Sequence, residues 1–152
     1  MIYFLLTLFY FSIILVVSAS CEAQWTGFGS SCYKMHSSQG WSYARLNCQN
    51  FGGELVKIES EDENQFIKTE FLSGGGGRYW IGLSDLDNEG DWRWTDGTGI
   101  TGYEKWRSDQ PNNHEDNQDC GAILKGNYYG VNYNAEWNDE WCYLTLDYIC
   151  EK

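Results

Sequence analysis

"WIGLSDLDNEGDWRWTDG" runs from Trp80 to Gly97. Its middle, Asp85 to Asp96, has acids at the first, third, fifth and twelfth positions and a glycine at the sixth. That is the spacing of a calcium loop held between two helices. The flanks decide against it. "YWIGL" on one side and "WRW" on the other are short, aromatic and β-branched, which marks strands rather than helices. A strand–loop–strand carrying Asp85 and Glu89 belongs to a mixed domain, and the rest of the chain has to supply its helices.

It does so upstream. In "WSYARLNCQNFGG", Trp41, Ala44, Cys48 and Phe51 recur at steps of three or four, one buried stripe of a short helix ended by Gly52 and Gly53. "ELVKI" reads as a strand. Ser60 followed by Glu63 has capping-box spacing and opens a second helix with Phe66, Ile67 and Phe71 inward, stopped by "SGGGG" at 73–77. Downstream, "YEKW", "AEWN" and "YIC" read as further short strands. From Thr95 to Trp137 almost nothing is periodic, and Asn, Asp and Gly dominate. A loop that long in a compact domain is functional or misread. It offers little apolar surface of its own, so disulfides and bound cations are the expected anchors. The expected fold is α+β, helices early and a small antiparallel sheet.

The chain has 152 residues, the length of one domain with a substantial core. Residues 1–20, "MIYFLLTLFYFSIILVVSAS", carry no charged side chain and end in small residues, as a cleavable secretory signal does. As a membrane anchor, the apolar run from Ile2 to Val17 falls short of the roughly 20 residues a spanning helix needs. The expected organisation is therefore a signal peptide over 1–20 and a secreted, extracellular domain over 21–152, without membrane insertion. Six cysteines behind such a signal imply an oxidising compartment and a disulfide framework, with fifteen pairings open. The net charge of −12 disfavours nucleic acid and other polyanions as partners. Enzyme activity has little support. His36 and His114 are the only histidines, and no nucleophile–base pair can be named.

Taken together, several pieces resemble the C-type lectin domain family from Cys21 to Lys152. They are "CEAQWTGFGSSCYK", the helix around Trp41, Ala44 and Cys48, "WIGLSDLDNEGDWRWTDG", "QPN" ahead of "DC", "WND" and the closing "YICE". The resemblance implies the C-type lectin-like fold: two helices, small antiparallel sheets and a long loop ordered by calcium. It also implies the pairing Cys21–Cys32, Cys48–Cys150 and Cys120–Cys142. The second of these would close a loop of about a hundred residues, worth up to roughly 4–5 kcal/mol in the chain-entropy model.

Carried over residue by residue, the family's sugar-binding Ca²⁺ would be held by Gln110, Asn112, Gln118, Asn138 and Asp139, with Pro111 cis. An auxiliary Ca²⁺ would take Asp85, Glu89, Asn113 and Asp119, although Asp85 and Glu89 beside Gly90 also read as ordinary turn residues. The same five primary ligands, with His114 as a ring against the sugar or as a plain loop histidine, form the expected carbohydrate site. Of the five, only Asp139 carries charge, because Gln stands at 110 and 118. Each missing charge removes about 4 kcal/mol of attraction at ~4 Å and an effective dielectric of ~20, so weak calcium binding is expected. "QPN" is a hybrid of the mannose-type and galactose-type triplets, and Tyr128, Tyr129, Tyr133 and Trp141 are near enough in sequence to stack on a sugar. Sugar class stays open. The expected function is that of a lectin for glycans or glycoconjugates, microbial surfaces among their sources. The alternative is a lectin-like module that binds a protein or other non-sugar ligand without calcium. A weak single site favours a homo-oligomer, which no segment of the sequence supplies.

Overall fold

The computed structural model describes residues 20–72, 74, 76–128 and 130–152; the expected signal peptide lies outside the described residues apart from Ser20. The chain begins with a hairpin of β1 (Thr26–Phe28) and β2 (Ser31–Gln39), pinned by the Cys21–Cys32 disulfide. Helix α1 (Trp41–Asn50), the two-residue strand β3 (Glu54–Leu55) and helix α2 (Glu61–Glu70) follow. The second half is sheet: β4 (Gly77–Ser84), β5 (Arg93–Trp94), β6 (Cys120–Tyr128), β7 (Val131–Glu140) and β8 (Leu146–Glu151). Among the described residues the strands join in the order β1-β2-β8-β4-β6-β7, with β3 on β8 and β5 on β4. The strand pairs among the described residues are antiparallel except β4–β8, as in the expected, mainly antiparallel sheet. Parallel pairing needs a long crossover, which residues 85–145 provide.

Strands β4 and β6 are buried on both faces. Tyr79, Ile81, Leu83 and Ile123 face the core layer that includes Ile67 and Leu72, while Trp80, Ala122 and Leu124 face the layer built on Trp41, Ala44 and Cys48 of α1. Both indoles in this layer find acceptors: Trp41 Nε1 donates to Ile81 O at 2.9 Å, and Trp80 Nε1 to Gln39 O at 2.9 Å. Gly82 is required by close approach, since a Cβ there would lie 2.6 Å from Leu55 O. Ser60 caps α2 by accepting from Glu63 N, but the Glu63 carboxylate accepts from Glu59 N and Tyr33 Oη, one residue upstream of the expected box. The other disulfides are Cys48–Cys150, which ties α1 to β8, and Cys120–Cys142.

Four local expectations are corrected. The first is "YEKW", which is not a strand: of its residues only Trp106 pairs, in an isolated bridge to Trp137. Phe51, expected on the buried stripe, is 46% exposed because it caps α1 and stacks on His36. "ELVKI" is a strand only at its first two residues, although Val56 still donates to Ile149 O. The aperiodic loop stops at Asp119, because β6 and β7 fill most of the rest. Its first half is ordered by aromatic packing that the sequence reading missed. Trp94, Tyr103 and Trp106 meet the Trp137 ring edge-on at 5.5–5.9 Å, and Lys105 O accepts from Trp137 N at 2.8 Å. Asn64 of α2 anchors this centre, accepting from Trp137 Nε1 and donating to Ala135 O.

Candidate functional site

The end of β7 sorts its side chains between two adjoining cavities. Successive residues of a strand point to opposite faces. Asn138 and Glu140 accordingly line a cavity of about 410 Å³, and Asp139 lines a smaller one of about 160 Å³. The loop carrying the cis Gln110–Pro111 peptide runs along both. Gln110, Asn112, His114 and Gln118 border the larger cavity, and Pro111 and Asn113 border the smaller.

This loop is tied internally and to β7. Asp139 Oδ2 accepts from Asn112 N at 2.9 Å and Asn113 N at 2.6 Å. Asn113, with a left-handed φ of 43°, accepts from Gln118 N at 2.9 Å through Oδ1. Gln118 Oε1 in turn accepts from His114 N at 3.0 Å. Asn138 Nδ2 donates to Asp139 O at 2.6 Å, and its Oδ1 accepts from Tyr133 Oη at 3.3 Å.

The five residues expected at the sugar-binding cation are therefore divided. Gln110, Asn112, Gln118 and Asn138 share the larger cavity, and Asp139 turns toward the smaller with Asp85, Glu89 and Asn113. Alternation along β7 is the reason. Of the auxiliary set, Asp119 meets Asp85 through its backbone, accepting from Asp85 N at 3.2 Å. Burial pushes the Asp85 carboxyl up to about 6, and the negative charges of Glu89 and Asp119 add to it. Burial also raises Asp139, against the pull of backbone N–H donors at Asn113, Asp139 and Asn112 and with Glu89 adding repulsion.

A cation requires oxygens with unused lone pairs, and both cavities have them. Gln110 Oε1, Asp139 Oδ1 and Asp85 Oδ1 are buried without a hydrogen-bond donor. An unpaired buried acceptor is costly, and more so when charged. Each of the three is an acceptor of the hard-oxygen type that calcium takes, so the donor set fits that ion. Among the described residues, no three His, Cys, Asp or Glu side chains are gathered as a metal site, so amide and backbone oxygens would have to complete either shell.

Sequence reasoning did not single out Arg78, Leu124 and Glu140, which line the larger cavity with Tyr128, Tyr133 and Trp141. Arg78 Nη1 donates to Glu140 Oε2 at 3.2 Å, and its guanidinium lies 5.5 Å from the Tyr128 ring centre. Glu140 was findable, because strand alternation puts it on the face of Asn138. Arg78 was not, since its place depends on the pairing of β4 with β6. His114 meets Trp141 edge-on at 5.8 Å. Tyr129 lies outside the described residues.

Comparison with known proteins places this geometry. The lectin C-type domain family matches residues 37–152. The chain is 36% identical to a perlucin-like protein of Mytilus galloprovincialis over 96% of its own length and 95% of that protein. It is 37% identical to the C-type lectin domain family 17, member A, of Homo sapiens over 88% of its length, spanning 32% of that longer protein. Among solved structures, the mouse scavenger receptor C-type lectin carbohydrate-recognition domain superimposes with a TM-score of 0.76 at 32% identity, covering 87% of this chain and 97% of that one. A calcium-independent type II antifreeze protein does so with a TM-score of 0.74 at 31% identity, covering 90% and 95%. The chain belongs to the C-type lectin domain family.

Proposed function

We propose that the protein is a secreted, calcium-dependent lectin that binds glycans at the larger cavity. The observation that carries this reading is the pair of unpartnered buried acceptors, Gln110 Oε1 and Asp139 Oδ1, on the two sides of the cis-proline loop. Gln110, Asn112, Gln118 and Asn138 would hold the ion from the larger cavity and Asp139 from its other side. Asp85, Glu89, Asn113 and Asp119 would hold an auxiliary ion under the loop. A bound ion would supply Lewis-acid coordination for sugar hydroxyls at this site. The amide NH₂ groups of Gln110, Asn112 and Asn138 would donate hydrogen bonds to the sugar hydroxyls, and the Asp139 carboxylate would accept a hydrogen bond from them. The cavity's aromatic walls suit the apolar face of a sugar ring. The similar mouse domain is described as a carbohydrate-recognition domain, which supports the same ligand class.

Two observations favour a second reading, a calcium-free non-sugar ligand. Asp139 is the sole carboxylate in the primary set, and a calcium-independent antifreeze protein shares the fold. Calcium titration against a glycan panel separates the two. The lectin reading expects sugar binding that appears with calcium in the range of ~0.1–1 mM used by extracellular modules and vanishes with EDTA. Binding that survives EDTA, or never appears for any glycan, rejects it.

A further inference from the structure

Glu140 is a carboxylate that the expected ligand set leaves out. It is 5% exposed and lines the larger cavity with Gln110, Asn112, Gln118 and Asn138. It also meets that set directly: the Asn138 side chain hydrogen-bonds the Glu140 carboxylate, and the charge of Asp139 reaches it. Its counter-ion is Arg78, whose Nη1 donates to Glu140 Oε2 at 3.2 Å. We propose that Glu140 supplies the primary calcium site with a second carboxylate charge, and that Arg78 is an internal cation with which calcium competes for it. The inference rests on the calcium-dependent reading and adds to it the pair of residues that sets the affinity.

Charge is the first argument. Gln at 110 and 118 leaves Asp139 as the only carboxylate among the five expected ligands. A buried acid beside Asn138 restores one negative charge to the same cavity, and charges interact strongly where water is scarce. The guanidinium of Arg78 opposes a cation there for the same reason. Geometry is the second argument. Asn138 and Glu140 are two residues apart on β7, so their side chains leave the strand on one face. The Asn138 amide donates to Asp139 O at 2.6 Å as well as bonding Glu140. With Glu140 drawn to the ion, one of those N–H groups is freed for a sugar hydroxyl, which joins calcium binding to glycan binding.

The third argument is the ease of exchange. The Arg78 side chain is 23% exposed, so water can solvate its guanidinium once the pair opens. The same guanidinium lies 5.5 Å from the Tyr128 ring centre, a contact that does not depend on Glu140. Glu140 has no such recourse, because a buried acid without a counter-charge is costly. Replacing Arg78 by calcium exchanges one partner cation for another and never leaves the carboxylate bare.

The test is calorimetric titration of the protein with calcium alone, followed by the glycan panel. Glu140→Gln is expected to weaken calcium binding about tenfold, and Arg78→Gln to tighten it about tenfold. In the Glu140→Gln background, Arg78→Gln should change the affinity by less than about threefold, because the competition is gone. Melting curves in EDTA establish that each variant is folded. Glu140→Gln keeps the size of the side chain and decides by itself should Arg78→Gln fail to fold. Unchanged calcium affinity in Glu140→Gln, weaker binding in Arg78→Gln, or an equal effect of Arg78→Gln with and without Glu140 overturns the proposal while leaving the lectin reading intact. Calcium binding with these shifts but no glycan binding rejects the lectin reading and supports the role of the pair. A wild-type protein that binds no calcium overturns both.

Discussion

Asp139 and Asn113 are joined by a 2.6 Å hydrogen bond from the Asn113 backbone N–H to Asp139 Oδ2, with Asn112 N adding a second at 2.9 Å. One buried carboxylate thus holds the loop that carries "QPN" against β7, and its other oxygen has no donor. Loop order and cation binding depend on the same side chain. Asp139→Ala is expected to abolish calcium-dependent glycan binding. It should also destabilise the calcium-free protein by about 2–3 kcal/mol, the scale of hydrogen bonds to a charged acceptor. Thermal denaturation in EDTA and amide exchange at Asn112 and Asn113 measure the second effect separately from the first.

Gln118 is 5% exposed and stands where the resemblance calls for an acid. Gln118→Glu should raise calcium affinity by at least about tenfold, since one added charge supplies well over the free energy that factor requires. The same variant should melt lower than wild type in EDTA, because a buried carboxylate is then uncompensated. Calcium titration and a pair of melting curves report both signs. An unchanged calcium affinity would remove Gln118 from the ligand set.

The Cys120–Cys142 disulfide spans 22 residues and joins the start of β6 to the residue after Trp141. Cys120→Ala with Cys142→Ala should cost about 3 kcal/mol from chain entropy, read as a lower denaturation midpoint in guanidinium. Both cavities border this segment, so glycan affinity should fall by more than the global stability loss explains.

His36 sits in an aromatic stack, 4.6 Å from the Phe51 ring centre and 5.3 Å from that of Tyr148. Its Nε2 is buried without a partner, and burial, followed by the charge of Lys34, lowers its pKa from the usual 6.5. The unfolded chain therefore binds a proton on His36 more readily than the folded one. Its contribution to stability is present above pH 6.5 and is lost as pH falls from there toward the lowered folded value. His36→Phe should flatten that part of the stability profile, measured as the difference between variant and wild type at successive pH values.

Much of the fold was legible because its signals are local. Trp41, Ala44 and Cys48 lie one helical turn apart, and the structure buries all three. Ser60 caps the helix it was expected to open. Strand β6 escaped notice because "GAIL" is buried on both faces and shows no alternation, and the aromatic centre at Trp137 did so because its members are scattered from Trp94 to Trp137. At the candidate site, sequence supplied residue types but not their grouping. The structure lines the larger cavity with Gln110, Asn112, Gln118 and Asn138 and the smaller with Asp139, because neighbouring residues of a strand face opposite ways.

By itself the sequence determined the α+β class, the family, the stock of oxygen donors and their shortage of charge. These follow from composition, short-range periodicity and motifs in fixed order. Only the tertiary structure decided that Asp139 turns away from its neighbours and that Arg78 reaches Glu140 across 62 residues. Which side chains meet depends on the register of β4, β6 and β7, and register is set by packing over the whole sheet.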